Sequence, residues 1–297
     1  MNKRLKVGID LGGTKIEIIV LDKDYKELFR ERIPTEQEKG YEKILDNINS
    51  LYLKAKKECN LKEHSIGIGI PGSISPKTSL VRNANTVCLI GKPFKKDIEN
   101  ILKHPVFIEN DANCFTLAES ILGAAKNKSL VFGIIMGTGC GGGIVFNKKI
   151  ITGLQAIAGE WGHMQIDPSG PECYCKKRGC VETFISGGGV QRMYFQLTGK
   201  KKTVQEILID YRKKEKNALK IMNVFFEKFG ISLSNLIDIL DPDIVVIGGG
   251  LSNIPELYTR GVKEVRKNIF CDFLSTPIVK NKLGDSAGVI GAAMLGI

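Results

Sequence analysis

The sequence predicts an α/β protein of two similar lobes, and three observations point to it. Short apolar runs stop at glycine turns in both halves, at Gly12-Gly13-Thr14 and again from Gly137 to Gly143. In each half, a run ending at glycine (Pro71-Gly72; Gly248-Gly249-Gly250) precedes one that ends at an aspartate before a helix (Asn110-Asp111; Gly284-Asp285). Amphipathic stretches at helical spacing lie between them. The halves share this pattern rather than residues, which reads as a duplication. Two such lobes facing one another would gather the turns at a common cleft, where open α/β sheets bind ligands.

Taken in order, residues 6–11 and 16–21 read as a hairpin around the first glycine turn. Residues 28–33 offer a third strand, ended by Pro34. Ile44, Leu45, Ile48, Leu51, Tyr52 and Ala55 fall at helical spacing within 41–59. Residues 65–70 read as a buried strand, and 106–109 as another that leads into a helix to about Leu122. In the second half the strands fall at 130–136, 144–146, 243–247 and 278–279. A long amphipathic helix covers about 218–240, and a small-residue helix closes the chain. The first lobe is expected over 1–118 and the second over 119–284, with the helix at 285–297 packing back on the first.

At 297 residues the chain can bury a core large enough for two lobes. No apolar run approaches the roughly 18–20 residues of a membrane helix. The start, Met1 to Lys6, runs into a strand, so no signal peptide is expected and the protein is expected in the cytoplasm. Lys plus Arg at 43 against Asp plus Glu at 32 gives +11. The basic residues are scattered without interleaved aromatics, which reads as solvated helix faces; no nucleic-acid or membrane partner is expected. Five of the eight cysteines, Cys59, Cys88, Cys114, Cys140 and Cys271, stand singly and read as small apolar residues.

The other three cysteines carry chemistry. His163, Cys173, Cys175 and Cys180 form His-x9-Cys-x-Cys-x4-Cys, enough to close a tetrahedral Zn²⁺ site. Four protein ligands leave no open position, so the ion should be structural. The bland alternative is three buried thiols and a hydrogen-bonded histidine. Glu160 and Glu182 flank the ligands and read either as anchors for polar substrate groups or as surface carboxylates.

Asp10-Leu11-Gly12-Gly13-Thr14-Lys15 combines close backbone approach with a carboxylate, a hydroxyl and a cation. Glycine amides can turn toward phosphate oxygens, Lys15 can balance charge, and Asp10 can hold Mg²⁺ through water. The spacing is not that of a P-loop, and a plain hairpin turn is the alternative. Five glycines in the seven residues 137–143, with Thr138 among them, exceed what one turn requires. Two such turns at equivalent places suggest one shared nucleotide triphosphate. Gly248, Gly249 and Gly250 suit the flat face of a nucleoside. Asn110-Asp111, where a strand meets a helix, reads either as a helix cap or as a general base for phosphoryl transfer.

These motifs together resemble the ROK sugar kinases. The resemblance rests on Asp10-x-Gly12-Gly13-Thr14-Lys15, Gly137-Thr138-Gly139-x-Gly141-x-Gly143, Glu160-x-Gly162-His163, Cys173-x-Cys175-x4-Cys180-x-Glu182 and the run from Asp243 to Gly250. It covers essentially the whole chain. Among its members the sequence is most similar to bacterial fructokinases, also called manno(fructo)kinases, through Gly69 to Pro76, Asn83-Ala84-Asn85, Gly159 to His163, Cys173-Tyr174-Cys175 and Gly179 to Gly187. The N-acetylglucosamine kinases share most of this frame and are the alternative.

The resemblance implies an actin-like ATPase (ribonuclease H-like) duplicated fold, two lobes around a cleft, and a homodimer. It implies a kinase that transfers phosphate from Mg²⁺-ATP to the 6-hydroxyl of a hexose, fructose first. Asp111 would be the catalytic base. Asn110, Gly72, Asn85, Glu160, His163 and Glu182 would meet the sugar beside it. Gly8, Asp10, Gly12, Gly13, Thr14 and Lys15, the Gly137, Thr138, Gly139, Gly141 and Gly143 loop, and Gly248–Gly250 would hold ATP and magnesium. Zinc would fix the loop that carries Glu160 and Glu182. A non-catalytic sugar-sensing regulator is a further alternative; such repressors carry an added helix-turn-helix domain, and only nine residues precede Asp10. Two departures stand out. Lys176 follows the second zinc cysteine where many members have glycine, and a left-handed backbone there would cost lysine about 1 kcal/mol. Only nine residues separate His163 from Cys173, a shorter insert than some fructokinases carry.

Overall fold

The computed structural model describes residues 5–296; the chain's first four residues, on which the leader reading rests, and Ile297, the end of the expected last helix, lie outside them. The described chain divides into two compact units, one of residues 5–123, 148–158 and 285–296, the other of 124–147 and 159–284.

In the first unit, β1 (Leu5–Leu11), β2 (Lys15–Leu21) and β3 (Glu27–Pro34) form an antiparallel meander. Helix α1 (Tyr41–Glu58) follows, then β4 (His64–Ile70), parallel to β1. The two-residue strands β5 (Ser73–Ile74) and β6 (Val81–Arg82) make a ribbon. Helix α2 (Phe94–Leu102), β7 (Val106–Asn110) and α3 (Asp111–Ile121) complete the set. The sheet order is β3-β2-β1-β4-β7. All seven residues of β4 are buried, as expected for a parallel strand covered on both faces.

The second unit repeats the core of this order. Strand β8 (Leu130–Met136) pairs antiparallel with β9 (Cys140–Phe146). The strip 148–158 between the two stretches of this unit belongs to the first unit and opens on β10 (Lys149–Ile150). Helices α4 (Val181–Ile185), α5 (Gly187–Thr198), α6 (Val204–Arg212) and α7 (Lys216–Leu240) follow. Strand β11 (Ile244–Gly248), helix α8 (Arg260–Asn268) and β12 (Ile278–Lys280) come last, with β11 parallel to both β8 and β12. The order β9-β8-β11-β12 thus reproduces β2-β1-β4-β7. Phe225, Phe226, Phe229 and Leu233 of α7 form the centre of its core.

Helix α9 (Ala287–Ala293) packs on α3, β1 and β4 of the first unit. The boundary expected at 118/119 therefore moves. Helix α3 runs unbroken through 118 to Ile121, and the Arg82 guanidinium donates to the Gln155 carbonyl within the same unit. None of the described helices is long and apolar enough to cross a membrane.

Some of the expected ligand glycines have a packing or pairing role in the fold. A Cβ on Gly8 would lie 2.2 Å from the Val289 carbonyl of α9. Its lack of a side chain serves helix packing. The glycine run 137–143 is not one loop: the turn is 137–139, and Gly141, Gly142 and Gly143 are paired residues of β9.

Candidate functional site

Each unit presents its own group of residues. In the first, Asp10 is the penultimate residue of β1, opposite Glu17 of β2 on one side and Gly69 of β4 on the other. Glu17 is buried and held by Arg30 at 2.5 Å and Arg32 at 2.6 Å. Burial pushes the Asp10 carboxyl up to about 7; Asp111 and Glu17 add to this, and Lys15 and Arg32 oppose it. Asp10 and Asp111 are therefore electrostatic neighbours.

The turn between β1 and β2 is closed by the Gly12 amide on the Lys15 carbonyl at 2.9 Å, and Thr35 Oγ1 donates to the Gly12 carbonyl at 2.6 Å. Thr14 is exposed at its tip. Gly13 stands 3.7 Å, measured from an added Cβ, from the buried Thr86 hydroxyl.

Asp111 opens α3. Asn110 caps that helix, its Oδ1 accepting from the Ala112 amide at 2.9 Å, which is the helix-cap reading of this pair. The Asn110 side-chain amide donates to the Gly72 carbonyl at 3.1 Å. Gly72, at φ +143°, lets this turn pass the Arg82 carbonyl where a Cβ would be 2.7 Å away. Asn110 and Gly72 are thus in contact, and Asn85 is exposed.

In the second unit, the stretch 159–163 is seated on β9 by missing side chains. A Cβ on Gly142 would lie 2.7 Å from Trp161 and 2.8 Å from the Gly159 carbonyl; one on Gly162 would lie 2.1 Å from the Cys140 carbonyl. Trp161 stands edge-on to Phe132 at 5.8 Å, and its indole N–H donates to the Gly141 carbonyl at 3.2 Å. This fixes the 3₁₀ turn at Trp161–His163, with Glu160 at its head. Glu182, in the first turn of α4, accepts the Cys140 amide at 2.9 Å and lies against Gly139.

His163, Cys173, Cys175 and Cys180 converge, their ligand atoms all within 4.8 Å of one another. The cysteines are free thiols. Cys173 Sγ is 3.5 Å from His163 Nδ1, and Cys175 Sγ is 3.6 Å from Cys180 Sγ. A tetrahedral zinc with bonds of about 2.0–2.3 Å spaces neighbouring ligands about 3.5–3.8 Å apart, so the residues fit that ion. Lys176 sits at φ +70°, the left-handed conformation anticipated for its position.

Some of the site was missed in the sequence. Residues 187–189 are glycines at the head of α5, and the Gly187 and Gly188 amides donate to the carbonyls of Gly137 and Thr138, bracing that turn. The signal was present: Ser186 precedes three glycines and a helical pattern. Gly249 adopts φ +78° with its added Cβ 2.5 Å from the Met136 carbonyl, so β11 turns tightly over β8. Gly250, Leu251 and Ile254 line one side of a cavity of about 300 Å³ whose other side is Val204, Leu208 and Arg212. Tyr174 lies between two of the clustered cysteines. Its hydroxyl lies 2.7 Å from His163 Nε2.

The ROK family matches over residues 6–297. The chain belongs to the ROK family. Among curated relatives, the N-acetyl-D-glucosamine kinase of Histophilus somni is 36% identical over 299 residues, covering 97% of each chain. That of Vibrio atlanticus is 37% identical over 300 residues, covering 98% of this chain and 99% of the relative. Among solved structures, the ROK hexokinase from Thermus thermophilus superimposes at TM-score 0.88 with 30% identity, covering 98% of this chain and 97% of that one. A ROK family glucokinase from Streptomyces griseus, in complex with glucose and AMPPNP, gives 0.81 at 28% identity with 98% of each chain covered. The actin-like, duplicated α/β architecture of the family is the architecture of this chain.

Proposed function

We propose that this ROK-family sugar kinase transfers the γ-phosphate of ATP to the 6-hydroxyl of N-acetyl-D-glucosamine. One observation carries the choice of sugar: relatives 36–37% identical, matched from end to end, are N-acetyl-D-glucosamine kinases. The sequence motifs placed fructose first and N-acetylglucosamine second, and these relatives favour the reverse. The fructokinase resemblance rests on five short stretches between Gly69 and Gly187, whereas these relatives match over 97–98% of the chain.

Phosphoryl transfer demands little covalent chemistry from protein; positioning and charge neutralisation supply most of the rate. In this reading Asp111 accepts the proton of the attacking hydroxyl. Asn110 holds Asp111 at the head of α3 and ties it to the Gly72 turn. Lys15 and the amides of Gly13, Thr14, Thr138 and Gly139, which the turn-closing bonds of Gly12 and Gly137 leave over, face phosphate oxygens, and the cavity beside Gly250 takes the nucleoside. Asp10 supports a water-bound Mg²⁺, which would offset charge on the phosphates. Glu160, His163 and Glu182 meet sugar hydroxyls. Zinc on the four-ligand cluster would have no open position and would supply no chemistry; it would tie the Glu160 loop to α4. A homodimer in the cytoplasm completes the proposal.

The test is ATP-dependent phosphorylation of a panel of hexoses and N-acetylated hexosamines, with the position of the product phosphate identified. Phosphorylation of N-acetylglucosamine at the 6-position is expected. No turnover of any sugar in the panel would sink the kinase reading.

A further inference from the structure

The two ring nitrogens of His163 have different partners. Nδ1 faces the thiols, 3.5 Å from Cys173 Sγ. Nε2 lies 2.7 Å from the Tyr174 hydroxyl, and the two rings meet edge-on at 4.8 Å. Tyr174 stands between two cysteines of the cluster and is 62% exposed. Its turn is closed by the Lys176 amide on the Cys173 carbonyl at 2.9 Å, with Lys176 left-handed. One short turn therefore supplies two thiols to one side of the imidazole neighbourhood and a hydroxyl to the other. Glu160 and Glu182 are close enough to act on the phenol electrostatically, and His163 is in direct contact with it.

A phenol hydroxyl offers one donor and acceptor lone pairs, the same hydrogen-bonding capacity as a sugar hydroxyl. It sits on the one nitrogen of His163 that the thiols leave available. We propose that Tyr174 is a sugar-mimicking cap: its hydroxyl holds His163 Nε2 in the sugar-free protein and is exchanged for a hydroxyl of the hexose on binding. This rests on His163 being a sugar contact. While the cap is on, the second imidazole nitrogen is satisfied and the ring is fixed with Nδ1 toward the thiols, the kind of outer partner that metal-ligating histidines generally have. Exchange is feasible because the phenol is mostly in solvent and gives up little packing when it swings away. The cap also weakens sugar binding, since one protein hydrogen bond must break as the new one forms. A neutral hydrogen bond of this kind is worth about a fivefold change in affinity.

Tyr174→Phe keeps the ring and removes the hydroxyl. Calorimetric titration of the zinc-loaded protein with N-acetylglucosamine is expected to show binding about fivefold tighter in the variant, with ATP affinity and zinc content unchanged. Unchanged or weaker sugar binding, in a wild type that does bind the sugar, overturns the cap alone. Loss of zinc from the variant also overturns it, because the tyrosine would then be part of the metal site's scaffold. A wild type that binds no sugar removes the sugar-site reading, and the cap with it.

Discussion

The penultimate residue of β1 is Asp10, flanked by Glu17 and Gly69; at the same place in the second unit, Ile135 of β8 is flanked by Gly141 and Gly248. Both positions stand just before a three-residue turn, 12–14 in one unit and 137–139 in the other. The backbone plan is the same and the chemistry is not. One unit has placed two carboxylates in the row, with Arg32 next to Glu17 on β3, and a third, Asp111, near it. The other has emptied its row to an isoleucine and two glycines. A duplicated fold thus assigns charge to one copy and close backbone approach to the other. The second copy spends its polar residues elsewhere, on the cluster at 160–182.

If the charged copy does the chemistry, its aspartate should be the most sensitive position in the molecule. Asp111→Asn is expected to lower kcat by about a hundredfold to ten-thousandfold, with the dissociation constant for sugar nearly unchanged. Near-normal turnover would remove Asp111 from the role of base and undo the contrast between the copies.

If the second copy braces rather than reacts, its sensitive property should be stability. Cys175→Ser is expected to lose the roughly one zinc per chain that metal analysis should find, and to cost about 4 kcal/mol or more, the range where loss of a metal belongs. Full stability and activity without metal would contradict the brace.

A pH effect follows from Asp10. Its carboxyl holds a proton up to about pH 7 in the folded protein and releases it near its ordinary 3.8 when unfolded. Between those values the folded chain binds more protons than the unfolded one, so stability falls as pH rises from about 4 to about 7. Thermal melting of magnesium- and nucleotide-free protein should show that slope, and Asp10→Asn should flatten it. An identical slope in the variant would mean that another group carries it.

Much of the fold was legible because strands here are short apolar runs that stop at glycine or aspartate. The hairpins, the parallel pairs and the long α7 all announce themselves by period. Helix α6 was also legible, through the capping box formed by Thr203 and Glu206, but was not singled out. Gly8 and Gly142 could not be sorted by sequence, because a glycine that admits a helix and one that admits a phosphate look alike until the neighbour is seen. The strip 148–158 carries no period that would assign it to the first unit. The convergence of His163, Cys173, Cys175 and Cys180 was legible from spacing alone, since soft ligands at chelating intervals have few other uses. The hydroxyl of Tyr174 on His163 was not, because it depends on one turn's direction.

The claim that most needs testing is the identity of the sugar. We expect kcat/KM for ATP-dependent phosphorylation to be highest for N-acetylglucosamine among N-acetylglucosamine, N-acetylmannosamine, glucose, mannose and fructose. A higher value for fructose would contradict the account and restore the substrate that the short motifs favour.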